Sequence, residues 1–156
     1  WEGANLIGRP FNFEVKHIVE VLGEFQEQGL LKTEGFETDK LTFHDPCQLV
    51  RRGGVIQQPR KLMNMVAKNF VEMPDAGFAN WCCGGGGGNF FTDLVCSGGE
   101  TSAAVRVKEA ADTGAEILAT ACPICTVILE AAVKSQNLEK SIQVREISEL
   151  VHEALQ

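Results

Sequence analysis

The chemistry of this chain is concentrated in its thiols. Six cysteines, Cys47, Cys82, Cys83, Cys96, Cys122 and Cys125, follow the pattern C-x34-C-C-x12-C-x25-C-x2-C. Six in 156 residues is well below the roughly 8–10% of a disulfide scaffold, and a chain of this length buries about 70% of its unfolded surface without covalent staples. Soft thiolates gathered on adjoining loops repel one another unless a cation neutralises them. A metal centre, iron–sulfur or zinc, is therefore the economical reading.

The local words around the thiols refine it. In Cys122-Pro123-Ile124-Cys125 both sulfurs can face one point at a helix start, where unpaired backbone N–H groups favour anionic ligands. The adjacent pair Cys82-Cys83 is rarer, because neighbouring side chains point in different directions and seldom serve one tetrahedral ion; it suits a cluster with several metals to reach. Directly after it, residues 84–88 are all glycine. Gly84, Gly85 and Gly86 are the candidate cradle: without side chains the backbone can approach a bulky inorganic core and aim N–H groups at its sulfurs. No Lys-Ser or Lys-Thr follows to make a phosphate loop, and Asn89 stands where the dinucleotide motif has its last glycine. A plain flexible linker would usually include serine and would not be flanked by Trp81 and Phe90-Phe91.

Three groups of neighbours of the thiols are candidates for support. His44, just before Asp45-Pro46-Cys47, could donate protons to a leaving thiolate, since imidazole titrates near neutral pH; the alternative is that His44 and Asp45 shape the turn through hydrogen bonds to backbone. Arg51 and Arg52 could offset thiolate charge or attract an anionic substrate, or simply be solvated. Trp81, Phe90 and Phe91 could shield a cluster or fill a core. His17 and His152 fall on expected helices and carry no chemical role.

Composition removes other function classes. With 14 basic and 21 acidic side chains the net charge is −7, and the only basic pair of note is Arg51-Arg52, so nucleic acid is not an expected partner. No run of about 18 or more apolar residues occurs, and the first residues lack the layout of a secretion signal. A cytoplasmic location is expected, with membrane association only through partner subunits. The start at Trp1 and the absence of tyrosine suggest a piece of a larger protein.

The elements that must position these residues alternate. Apolar spacing at Val15, Ile18, Val19, Leu22 and Phe25 predicts a helix within 13–31. Residues 40–44 read as a strand stopped by Asp45-Pro46. A helix opened by Pro59 carries Leu62, Met63, Val66, Ala67 and Phe70, followed by a strand over 70–73. Residues 97–102 read as a loop and helix entry, leading to a helix through Ala103, Ala104, Val107, Ala110 and Ala111 that stops at Gly114. A buried strand over 116–120, a helix from Pro123, a strand over 142–144 and a closing helix with Ile147, Leu150, Val151 and Ala154 complete the order. This alternation predicts an α/β, Rossmann-like layered fold: one domain over residues 1–156, with a short, mostly parallel sheet flanked by helices and the functional groups on loops at the strands' carboxyl ends.

Taken together, His44-Asp45-Pro46-Cys47, Cys82-Cys83-Gly84-Gly85-Gly86 and Cys122-Pro123-Ile124-Cys125 resemble the cysteine-rich CCG domain of the heterodisulfide reductase family, most closely the iron–sulfur subunits of membrane-bound complexes in sulfur metabolism. The resemblance implies that Cys47, Cys82, Cys83, Cys122 and Cys125 bind a noncubane 4Fe-4S cluster, with no counterpart for Cys96. It implies an oxidoreductase domain that reduces a small-molecule or protein-borne disulfide, or a related sulfur substrate. As the C-terminal part of a longer subunit it would be active only within a complex, because no second CCG word and no ferredoxin-type run of cysteines is present. Electrons would come from iron–sulfur, flavin or membrane quinol-oxidising subunits. Two other readings stay open: a zinc-binding structural or assembly module on the same cysteines, and a metal-free thiol–disulfide oxidoreductase using Cys122 and Cys125.

Overall fold

Period-two alternation in Leu41-Thr42-Phe43-His44 sends Leu41 and Phe43 to one face of a strand and Thr42 and His44 to the other, and all are fully buried. Only a strand covered on both faces can read this way. The computed structural model describes residues 2–33, 35–91 and 100–155. Its elements are α1 (Glu2–Ile7), α2 (Ile18–Glu27), β1 (Phe36–His44), α3 (Gln57–Val66), β2 (Ala67–Phe70), α4 (Ser102–Asp112), β3 (Ile117–Thr120), α5 (Pro123–Ser135), β4 (Gln143–Glu146) and α6 (Ile147–Ala154).

The strands form one sheet in the order β2-β1-β3-β4, every pair parallel. Each face has its own core. Leu41, Phe43, Leu62, Met63, Val66, Ile117, Ile147 and Leu150 fill the side covered by α3 and α6; Val107, Leu118, Leu129, Val133 and Val144 fill the side of α4 and α5. Each fully buried large aliphatic side chain contributes about 1.5–3 kcal/mol of transfer free energy. Leu118 and Thr120 share the second face with Thr42 and His44, as alternation and register require.

The chain leaves β1 toward β2 on one side and returns to β3 on the other, so the crevice beyond β1 and β3 is a topological switch point. In-register pairs His44↔Thr120 and Thr120↔Glu146 end three strands at one level. Cys47 follows β1 and Cys122 follows β3 at this edge.

Several boundaries differ from expectation. The first helix starts at Ile18, because His17 caps it: the His17 ring accepts from Val19 N at 3.3 Å while the Glu20 carboxylate accepts from His17 N at 2.8 Å. Phe13 and Val15 precede it and are exposed, and α1 was not anticipated. The helix expected to run through Phe70 stops at Val66, and the strand lies at Ala67–Phe70 rather than 70–73. Pairing with β1 outweighs the continuing apolar period there. No helix among the described residues is long and apolar enough to cross a membrane.

Candidate metal centre

Four stretches deliver the site. Asp45 ends β1 and fixes the turn to Cys47. Its carboxylate has no solvent exposure and accepts from Arg60 Nη1 and Nη2 at 2.5 and 2.7 Å and from Gly77 N at 2.7 Å. Arg60 also donates to Glu72 at 2.6 and 3.1 Å, so one guanidinium ties α3 to the β1 turn and to the segment after β2. Beyond Cys47 the backbone makes a π-type turn over Gln48–Arg52, a geometry frequent at functional sites.

The glycine-rich loop supplies the second and third thiols. Cys82 Sγ lies 3.9 Å from Cys47 Sγ, and Cys83 Sγ lies 3.3 Å from Cys125 Sγ. The adjacent pair therefore divides its work, one sulfur toward the β1 loop and one toward α5. Gly84 N donates to Cys82 Sγ at 3.4 Å, and Gly84 has φ +84°, a left-handed conformation natural to glycine. A Cβ on Gly85 would lie 2.8 Å from Ile124 Cγ2 and 2.9 Å from Ile128 Cγ1. Glycine at 85 is thus the condition for seating this loop on α5.

Helix α5 begins with Cys122 at its N-cap and Pro123 in its first turn, where the missing proline N–H costs no hydrogen bond. Hydrogen bonding from Cys125, opposed by burial and helped by the backbone N–H groups of Cys125 and Ile124, brings Cys122 down to about 6. Contact with Cys125, again against burial, and then His44 and the Gly85 N–H bring Cys83 down to about 4. Cys125 is pushed far up, chiefly by its contacts with Cys122 and Cys83, and burial raises Cys82. Sulfur contacts thus pair Cys47 with Cys82 and Cys83 with Cys125, and Cys122 joins the second pair through Cys125. Thiolate character within such a group is what a soft cation would neutralise.

His44 reaches the same place from the sheet. An imidazole nitrogen, Cys83 Sγ and Cys125 Sγ all lie within 4.8 Å of one another, and all three residues are buried. The ring is held from behind: Arg106 Nε donates to His44 Nδ1 at 3.1 Å. Arg106, wholly buried, also donates from Nη1 to Asp75 O at 2.8 Å and to Glu109 Oε2 at 2.6 Å. His44 Nε2 and Arg106 Nη2 are buried with no hydrogen-bond partner among the described residues.

Arg106, Glu109 and Arg60 were missed from sequence. The signal for Arg106 was present, since it stands in the buried stripe of α4 with Ala103, Val107 and Ala110, where a charge needs a partner. Of the two readings of the aromatics, core filling does not hold. Trp81, Phe90 and Phe91 are exposed and fill no core; Trp81 Nε1 donates to Asp75 Oδ2 at 2.8 Å, and the two phenylalanines pack edge to face on each other. Arg51 is exposed and donates to Asn80 O at 2.6 Å. An open cavity of about 380 Å³ lies against Cys82, lined by Arg51, Ala79, Asn80, Trp81 and Ser102. Cys96 and the loop expected at 97–102, as far as residue 99, lie outside the described residues.

Residues 41–130 match the family model described as a cysteine-rich domain, CCG. The chain is 38% identical over 153 residues to a subunit of the dihydromethanophenazine:CoB–CoM heterodisulfide reductase of Methanosarcina barkeri, covering 96% of this chain and 36% of that protein. It is 29% identical over 155 residues to the EtfAB:quinone oxidoreductase of Syntrophomonas wolfei, covering 93% of this chain and 21% of the relative. Over 83 residues, 51% of the chain and 15% of the relative, it is 34% identical to the Hdr-like menaquinol oxidoreductase iron-sulfur subunit 2 of Archaeoglobus fulgidus. The chain thus spans about a third or less of the length of these relatives. No solved structure matches it significantly.

Proposed function

The chain belongs to the cysteine-rich CCG domain family, and from that premise we propose that it is the iron–sulfur domain of a heterodisulfide-reductase-like oxidoreductase. Cys47, Cys82, Cys83, Cys122 and Cys125 are the ligands of a 4Fe-4S cluster of the noncubane type, and Gly84, Gly85 and Gly86 line it. The observation that carries this reading is the meeting of thiols from three separated loops, with Cys82 3.9 Å from Cys47 and Cys83 3.3 Å from Cys125. The donor set fits such a group on independent grounds. Buried polar groups are almost always satisfied, yet Arg106 Nη2 has no acceptor among the described residues, and cluster sulfur is one.

When bound, the cluster supplies one-electron chemistry at an iron open to a sulfur substrate. The chain's own part is to hold the thiolates in place, keep water from Cys83 and Cys125, which are buried, and leave Cys82 beside the open cavity. Splitting a disulfide to a pair of thiols takes up a pair of electrons and a pair of protons. The electrons come from iron–sulfur, flavin or quinol-oxidising partner subunits, some of them membrane-bound, and His44 is the titratable ring placed nearest the thiols.

Iron and acid-labile sulfide analysis of anaerobically prepared protein, with electron paramagnetic resonance, tests this. About four irons per chain is the expected result. Cys82→Ser or Cys83→Ser abolishes the four-iron signal and Cys96→Ser leaves it. One zinc and no sulfide, or no metal with a reversible Cys122–Cys125 disulfide, would overturn the assignment.

A further inference from the structure

The least expected feature beside the thiols is a buried guanidinium. Arg106 has no solvent exposure and sits on α4, outside every cysteine loop. Its position is over-determined: Nη1 is held by Glu109 Oε2 and Asp75 O, Asp75 N donates to Glu109 Oε1 at 2.7 Å, and Asp75 Oδ2 receives Trp81 Nε1. This frame joins α4 to the segment that leads into Cys82, and its remaining directed bond runs from Arg106 Nε to His44 Nδ1 at 3.1 Å.

Arginine has only donors and neutral histidine has one donor and one acceptor. A ring whose Nδ1 accepts from arginine must carry its proton on Nε2. That nitrogen is buried without a partner among the described residues, on the sheet face that holds Cys83 and Cys125. We propose that Arg106 is a positioning residue that locks His44 in the Nε2–H form, making the ring a hydrogen-bond donor toward the Cys83 sulfur rather than a metal ligand. A ligating histidine needs a free lone pair at the metal and commonly donates its other N–H to a carboxylate or carbonyl; in this chain that second position faces a guanidinium, the opposite polarity. A donor aimed at a ligand sulfur withdraws electron density and raises the cluster's reduction potential.

The inference rests on the iron–sulfur reading above, and the experiment separates the two. Full-length, cluster-loaded protein containing 15N-histidine is first analysed for iron: absence of iron removes the cluster reading itself. With iron present, electron–nuclear double resonance is expected to show a weakly coupled histidine nitrogen with an exchangeable proton. The strong coupling of a metal-bound nitrogen would overturn the proposal while leaving the cluster in place. Because this measurement uses the unaltered protein, it decides the matter even if substituted forms fail to fold.

Midpoint potentials then test the role of Arg106. His44→Phe lowers the potential, and Arg106→Met lowers it in the wild-type background but produces no further fall in the His44→Phe background, since it acts through the ring. An equal fall in both backgrounds would mean that Arg106 acts by its own charge or through Nη2, and the positioning role would be wrong.

Discussion

Asp45 is the residue on which the presentation of Cys47 turns. It is fully buried, yet it carries a bidentate pair with Arg60 and the Gly77 N–H. Removing Asp45 leaves the Gly77 N–H without its acceptor and the Arg60 guanidinium with Glu72 in place of two carboxylates, at a cost of about 1–3 kcal/mol. Asp45→Ala is therefore expected to destabilise the protein by about that much in urea titration and to reduce iron content, while Glu72→Ala, which removes the more exposed partner of Arg60, costs about 1 kcal/mol or less. His44 sets a pH dependence. Burial lowers its pKa, with the adjacent Arg106 charge acting in the same direction. Below the unfolded value near 6.5 the unfolded chain takes up a proton that the folded chain refuses, so the unfolded state binds more protons and stability falls as pH falls. The loss starts near 6.5 and continues down to the lower folded value. Cys83, brought down from the ordinary thiol value of 9.0 to about 4, adds a slope of the same sign across the whole interval between those values, beneath that of His44. Urea midpoints of metal-free protein between about pH 7.5 and 5 should fall, and His44→Gln should flatten the segment below about 6.5; an unchanged slope would mean that the ring is not held neutral.

At the scale of elements, the decisive contact is the glycine loop on α5. Gly85 is buried and leaves no room for a Cβ against Ile124 and Ile128, and this seating brings Cys83 to Cys125. Gly85→Ala must lift the loop or push the two isoleucines aside. It is expected to lower iron retention in the presence of a chelator several-fold, and trimming both neighbours with Ile124→Ala and Ile128→Ala should restore much of it. No rescue would show that the glycine serves the backbone N–H geometry alone. The boundary of α3 teaches a related lesson. Apolar spacing continued through Ala67 and Phe70, but Ala67 is extended at φ −142°, ψ 136°, because hydrogen bonds to β1 are available to it. Periodicity records which side of a segment is buried; it does not say whether a sheet edge is within reach.

For the whole molecule, the parallel sheet separates two cores with different duties. Leu41 lies in the one facing α3 and α6, and Leu129 in the one that also contains Cys83 and Cys125; both are fully buried. Leu41→Ala and Leu129→Ala should each cost about 2–5 kcal/mol through lost burial and residual cavity. Only the second should hasten iron loss to a chelator under conditions where both variants remain folded. Equal rates would mean that the thiols are held by the loops and the strand ends alone.

By itself the sequence determined the alternation of strands and helices and the choice of thiols as the chemical centre, because side-chain type, period and glycine content are local properties. It also placed Cys47 and Cys122 at strand ends, since proline interrupts the backbone pattern wherever it occurs. Tertiary structure alone decided which thiol meets which, that His44 turns toward Cys83 and that a guanidinium stands behind it. Arg106 and His44 are 62 positions apart, and no local pattern encodes such a pair. It exists because parallel pairing brings β1 and β3 side by side and α4 packs on the face to which alternation sends His44.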